Sequence, residues 1–136
     1  MIGIVIVSHS QKVAEGIKEI AEEMNNGSIL IKAAGGVEEN DGRIGTSTFK
    51  IREAIEEVSF KEIVLIFVDM GSAAMNAEMA VDMLDLKIKE KVRMVDAPLV
   101  EGVIAATIQA TITDNLENII ITAMESRNLQ KFDGCI

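Results

Sequence analysis

The sequence contains no tryptophan and no tyrosine, and its only aromatic residues are four phenylalanines. Stacking platforms for nucleic-acid bases or sugars are therefore missing. Cys135 is the single cysteine, so no intrachain disulfide forms and a reducing cytoplasm is the expected compartment. One histidine and one remote cysteine do not build a zinc site. A carboxylate-only Mg²⁺ site stays open, although Asp and Glu at such positions are ordinarily solvated surface. Basic residues are scarce, 13 against 22 acidic ones, and the formal charge of −9 disfavours nucleic acid and anionic membranes as partners. No apolar run approaches the roughly 20 residues of a membrane span. The N-terminus opens on a strand-like run, without the basic region and cleavage site of a signal peptide. There is no Gly-x-x-x-x-Gly-Lys-Ser/Thr loop and no Gly-x-Gly-x-x-Gly after the first strand, so a nucleotide is not expected on this chain alone.

What is present reads as one globular domain over residues 1–127, with a frayed tail over 128–136. The chain has 136 residues, 49% of them apolar and 26% charged, enough to bury a core. Four short runs rich in Ile and Val, at Gly3–Val7, Ser28–Ala33, Glu62–Val68 and Val92–Asp96, predict strands. The first and third are apolar on both faces, as in a parallel sheet buried between helix layers. Between them lie helical periods. Val13, Ile17, Ile20, Ala21 and Met24 mark the first helix, which Asn25-Asn26-Gly27 stops. The second covers Thr48–Val58 with Phe49, Ile51, Ile55 and Val58 inward. The third covers Ser72–Leu84, where alanines and Met75, Met79 and Met83 pack on the sheet. Helices over Val100–Thr113 and Asn115–Arg127 complete the chain. This alternation predicts an α/β doubly wound three-layer sandwich with a four-stranded parallel sheet, order 2-1-3-4, plus C-terminal helices.

Small and polar residues gather in the loops that follow strands. His9, the only histidine, stands in Ser8-His9-Ser10 at the end of the first strand. The first and third strands are neighbours at the switch point of such a sheet, which brings His9 beside Asp69. A carboxylate on the imidazole Nδ1–H fixes the tautomer and leaves Nε2 free as a nucleophile. Gly71 and Ser72 open the third helix and Ser10 the first, so N–H groups and helix dipoles face an incoming anion there. Plain N-capping is the competing reading of Ser10 and Ser72. These parts suit a phosphoryl group carried on His9, whose release a fixed cationic clamp would hinder. The same sheet also supports a non-catalytic flavodoxin-like or receiver-like binding module, in which His9 only packs or caps. Against that stand the missing aromatics and the absence of an acidic pair after the first strand.

Six blocks carry a specific likeness: Gly3–Ser10, Ala33–Gly36, Gly45–Ser47, Asp69–Ser72, Met75–Met79 and Asp96-Ala-Pro-Leu-Val-Glu-Gly102. Together they resemble the phosphotransfer subunit of bacterial dihydroxyacetone kinase, within the mannose-type IIA domains of the sugar phosphotransferase system. The resemblance runs from about residue 2 to residue 125. It implies that His9 takes a phosphoryl group on Nε2 from phospho-HPr, charged through enzyme I by phosphoenolpyruvate. The group then passes to ADP, giving ATP, on a separate nucleotide-binding (DhaL-type) subunit, and a dihydroxyacetone-binding (DhaK-type) subunit holds the final acceptor. It further implies a homodimer, Asp69 as the acid on His9, and Ser10, Gly71 and Ser72 around the phosphoryl group, with no cofactor or metal on this chain. With no HPr-like domain following, the donor is expected to be free HPr. Mannose-type domains serving a sugar permease, which pass phosphate to a IIB domain, are the alternative. They usually carry Gly-Gly-Ser-Pro at the third loop, where this chain has the shorter Asp69-Met70-Gly71-Ser72-Ala73. In the loop 37–43, Arg43 is either a partner contact or, with Glu38, Glu39 and Asp41, part of a solvated surface.

Overall fold

The computed structural model describes residues 1–135; the last residue of the expected tail, Ile136, lies outside them. Four parallel strands form one sheet in the order β2-β1-β3-β4, as the alternation predicts. They are β1 (Ile2–Ser8), β2 (Leu30–Gly35), β3 (Ile63–Val68) and β4 (Val92–Met94). The helices are α1 (Gln11–Met24), α2 (Thr48–Val58), α3 (Ser72–Asp82), α4 (Leu86–Lys89), α5 (Leu99–Ala110) and α6 (Leu116–Glu125), and a 3₁₀ turn follows at Ser126–Asn128. The one-turn α4 was not anticipated: Leu86 and Ile88 are too few to write a helical period.

The strand pleat divides the core in two. Ile4, Ile6, Leu65 and Phe67 face α1, α5 and α6, whereas Val5, Val7, Val64 and Ile66 face α2 and α3. All eight side chains are fully buried, which explains why β1 and β3 read as unbroken apolar runs. Each large one contributes about 1.5–3 kcal/mol by leaving water.

Helical phase corrects several inward assignments. On α2 the buried residues are Ile51, Ala54, Ile55 and Val58. Phe49 is 54% exposed because two residues advance a helix by about 200°, placing it opposite Ile51. On α3 the alanines do the packing: Ala73, Ala77 and Ala80 are buried, while Met75, Met79 and Met83 line the outer face. On α1 the buried stripe is Ala14, Ile17 and Ala21, and Val13, Ile20 and Met24 form a half-exposed stripe beside it.

Candidate functional site

The site grows from the register of β1 against β3. Val7 pairs with Val68, and the Asp69 N–H continues the ladder to the Val7 carbonyl at 3.1 Å. The next residues on each strand are therefore forced together as the strands end, Ser8 and His9 on one and Asp69 on the other. Asp69 accepts from the Ser8 hydroxyl (2.9 Å) and the His9 N–H (2.9 Å) on Oδ2, and from the Met70 N–H (2.7 Å) on Oδ1. The His9 ring completes the set, with Nδ1 3.0 Å from Asp69 Oδ1.

Burial of the Asp69 carboxyl works against its charge, but these hydrogen bonds outweigh it and hold the group below the usual carboxylate range. An ionised Asp69 only accepts, so His9 Nδ1 carries the proton in this contact. In the neutral imidazole Nε2 is then the unprotonated nitrogen. It faces the Ser72 hydroxyl at 2.9 Å, and the hydroxyl donates. The ring side chain is 26% exposed, so a nucleophilic nitrogen sits at the surface with its orientation set from within.

Gly71 and Ser72 divide the roles expected of them. Gly71 is the residue preceding α3, at φ +52°, ψ −118°, a backbone shape open to glycine and strained for other residues. No side chain caps this helix start; Ser72 turns its hydroxyl to His9 instead. Among the described residues, neither the Gly71 nor the Ser72 N–H has a hydrogen-bond acceptor, leaving two donors at the positive end of α3, the helix whose Ser72 hydroxyl meets Nε2. Ser10 behaves as a cap: its Oγ accepts from the Val13 N–H at 3.2 Å, and among the described residues it makes no hydrogen bond to the ring. Its own N–H donates to the Ser8 hydroxyl at 3.1 Å.

Ser8 is the residue that sequence reasoning passed over. Its buried hydroxyl donates to Asp69 and accepts from Ser10, so it ties the start of α1 to the acid. A hydroxyl ending an otherwise apolar buried strand was the available signal.

The segment 36–47 closes the other side. The Gly36 N–H reaches the Ser8 carbonyl (3.2 Å), and the Gly45 N–H reaches the His9 carbonyl (2.8 Å). At its base, a Cβ on Gly35 would lie 2.5 Å from the Ser10 carbonyl oxygen, so only glycine lets β2 pass this close to α1. Farther out, Arg43 pairs with Asp41 (2.8 Å) and Glu39 (3.2 Å), which satisfies the guanidinium inside its own loop. A groove of about 470 Å³, lined by residues such as Ser10, Gln11, Lys12 and Ile44, opens between this loop and α1. Among the described residues, no three His, Cys, Asp or Glu side chains gather as a metal-binding group. No helix among them is long and apolar enough to cross a membrane.

Known proteins resemble this chain in sequence and in fold. Residues 3–120 match the family model for mannose-type EIIA, described as the PTS system fructose IIA component. The chain is 44% identical over 127 residues to the phosphoryl donor subunit DhaM of PEP-dependent dihydroxyacetone kinase from Pantoea ananatis. That match covers 93% of this chain and 27% of the relative, so the chain spans about a quarter of that protein's length. It is 42% identical to DhaM of dihydroxyacetone kinase 2 from Listeria innocua, over 88% of this chain and 94% of that one. A crystal structure of an unknown-function protein superposes with TM-score 0.82 at 41% identity, covering 90% of this chain and 92% of the other. The EIIA component from Streptococcus agalactiae shares the fold, at TM-score 0.68 and 18% identity over 99% of this chain and 100% of the other. With a family model spanning most of its length and relatives this similar, the chain belongs to the mannose-type EIIA family of phosphotransferase-system components.

Proposed function

We propose that this chain is a phosphohistidine carrier. His9 accepts a phosphoryl group on Nε2 from phospho-HPr and passes it to ADP on the nucleotide-binding subunit of dihydroxyacetone kinase. The observation that carries the reading is the His9–Asp69 pair, with Nδ1 held at 3.0 Å by an ionised acid and Nε2 turned outward. The choice of acceptor is supported by the relatives, which are phosphoryl donor subunits of that kinase. The nucleotide-binding and dihydroxyacetone-binding subunits are accordingly the downstream partners. The long relatives extend well beyond the length matched here, and HPr as a separate donor is part of the proposal.

In the step proposed, the Nε2 lone pair attacks phosphorus. A new N–P bond forms while the bond from phosphorus to the donor's carrier nitrogen breaks, its electron pair returning to the donor. The His9 ring becomes cationic as the bond forms, and the Asp69 carboxylate on Nδ1–H stabilises that charge. The Ser72 hydroxyl, which occupies Nε2 in the resting state, swings to a phosphoryl oxygen. The unpartnered N–H groups of Gly71 and Ser72 supply neutral donors to the same group. Transfer to ADP reverses these bond changes, with a nucleotide oxygen as the new partner of phosphorus.

The test is incubation with phosphoenolpyruvate, enzyme I and HPr, followed by intact mass. The expected result is a gain of one phosphoryl group that His9→Ala abolishes without loss of the folded circular-dichroism signal. Release is then compared between ADP with the nucleotide-binding subunit and a IIB domain. Labelling of the His9→Ala protein would remove the site assignment, and release only to the IIB domain would remove the acceptor.

A further inference from the structure

Asn76 lies one helical turn beyond Ser72 on α3 and touches neither the His9 ring nor Asp69 through a hydrogen bond among the described residues. Its side chain instead reaches across to the start of α2. Asn76 Nδ2 donates to the Thr46 hydroxyl oxygen, and Asn76 Oδ1 accepts from the Thr48 hydroxyl at 3.4 Å. Thr46 follows directly on Gly45, whose N–H holds the His9 carbonyl at 2.8 Å. Three links therefore run in series, from α3 through Asn76 to Thr46, along one peptide to Gly45, and from there to the backbone of His9.

The helical phase of Asn76 shows that this reach is particular. It stands about 60° from the buried stripe of Ala73, Ala77 and Ala80, at the margin between core and surface. An apolar residue there would extend the packing, and a charged one would turn to water. Asn76 and Thr46 are both partly buried, so their mutual hydrogen bond has less water to compete with than an exposed one.

The opposite ends of this series bear on the reacting nitrogen from different directions. The α3 end presents the Ser72 hydroxyl to Nε2. The Gly45 end grips the backbone of the residue that carries Nε2. Resting on the phosphohistidine reading of His9, we propose that Asn76 is a positioning residue for phosphoryl transfer. It clips the segment 36–47 to α3 so that the His9 backbone and the Ser72 donors keep one fixed relation. Misplacing reacting groups by an ångström slows a reaction steeply even when every reacting group is present.

The experiment measures the rate of labelling by phospho-HPr for wild type, Asn76→Ala, Thr46→Val, Thr46→Ser and the double variant Asn76→Ala/Thr46→Val. Thermal melting and the pH profile of the labelling rate are recorded for each. The expected outcome is a loss of about tenfold in Asn76→Ala and in Thr46→Val. Thr46→Ser, which keeps the hydroxyl, labels at the wild-type rate. The double variant is no slower than either single one, because both cut the same link. The pH profile keeps its shape, since the clip changes geometry and leaves the Asp69 contacts in place. A wild-type rate in Asn76→Ala or in Thr46→Val overturns the proposal, as does a slow Thr46→Ser protein. Losses that simply multiply in the double variant, or that track falling melting temperatures across the set, overturn it too. If wild type itself is never labelled, the carrier reading of His9 has failed and the positioning role falls with it. Labelled wild type with an equally fast Asn76→Ala protein sinks the positioning role alone.

Discussion

Two loops meet at His9, and they are built in opposite ways. The turn after β3 runs directly from Asp69 to Ser72 and is held by strand register and by the peptide groups it contains. The segment 36–47 is far longer and has no helix or strand within it. It is fastened to the site at Gly36 and Gly45, and to α3 through Thr46, while its middle pairs with itself through Arg43, Asp41 and Glu39. A short turn inherits its precision from the sheet. A long loop must be tied down at particular points, and its function depends on those ties more than on its length or charge.

The largest effect is expected on the short side. Asp69→Asn offers only one oxygen acceptor where the carboxylate accepts from four donors, and it no longer fixes the imidazole tautomer. Labelling should slow by on the order of 10²-fold. The same variant has a signature in acid. Asp69 is held below its ordinary value of about 4, so its contribution to stability is complete above that value. That contribution is lost as pH falls through the lowered value. Chemical denaturation across that window should therefore show a steeper acid loss in wild type than in Asp69→Asn, and parallel curves would contradict the assigned network.

An intermediate effect belongs to the base of the long loop. Gly35→Ala sets a Cβ 2.5 Å from the Ser10 carbonyl oxygen and 2.8 Å from the Gln11 Cα, both backbone atoms that yield poorly. The expected cost is about 1–3 kcal/mol of stability, measured by denaturant midpoint, with β2 pushed off α1. The smallest effect is at the loop's middle. Arg43→Ala removes ion pairs between well-exposed groups, and labelling should stay within about twofold of wild type with melting unchanged. A large fall in the labelling rate there would make Arg43 a partner contact and reverse the contrast between the loop's ends and its middle.

The contrast also explains what was legible in the sequence. Sheet order and the meeting of His9 with Asp69 follow from element order and the handedness of crossovers, and both are found. The bounds of α2 are legible because Ser47 caps it, its Oγ accepting from the Lys50 N–H at 3.1 Å. Phe49 and the α3 methionines read as inward from hydrophobicity alone, but helical phase turns them outward and presents the α3 alanines to the sheet. Ser10 is the N-cap of α1, whereas Ser72 is the first residue of α3 behind Gly71, so one caps its helix and the other faces His9. That offset of one residue decides their roles, and composition holds no record of it. The tether through Asn76 was equally hidden, because its partners are about thirty residues away in sequence.

In the proposed carrier, Asp69 occupies Nδ1 and leaves Nε2 to carry phosphorus. The most direct measurement is ¹⁵N and ³¹P NMR of protein labelled on its single histidine, before and after phosphorylation through phospho-HPr. The expected result is a resting ring whose Nδ1–H donates to Asp69, and a phosphoryl group coupled to Nε2 after transfer. Phosphorus on Nδ1, or a His9 ring unchanged while phosphate appears elsewhere on the chain, would contradict it.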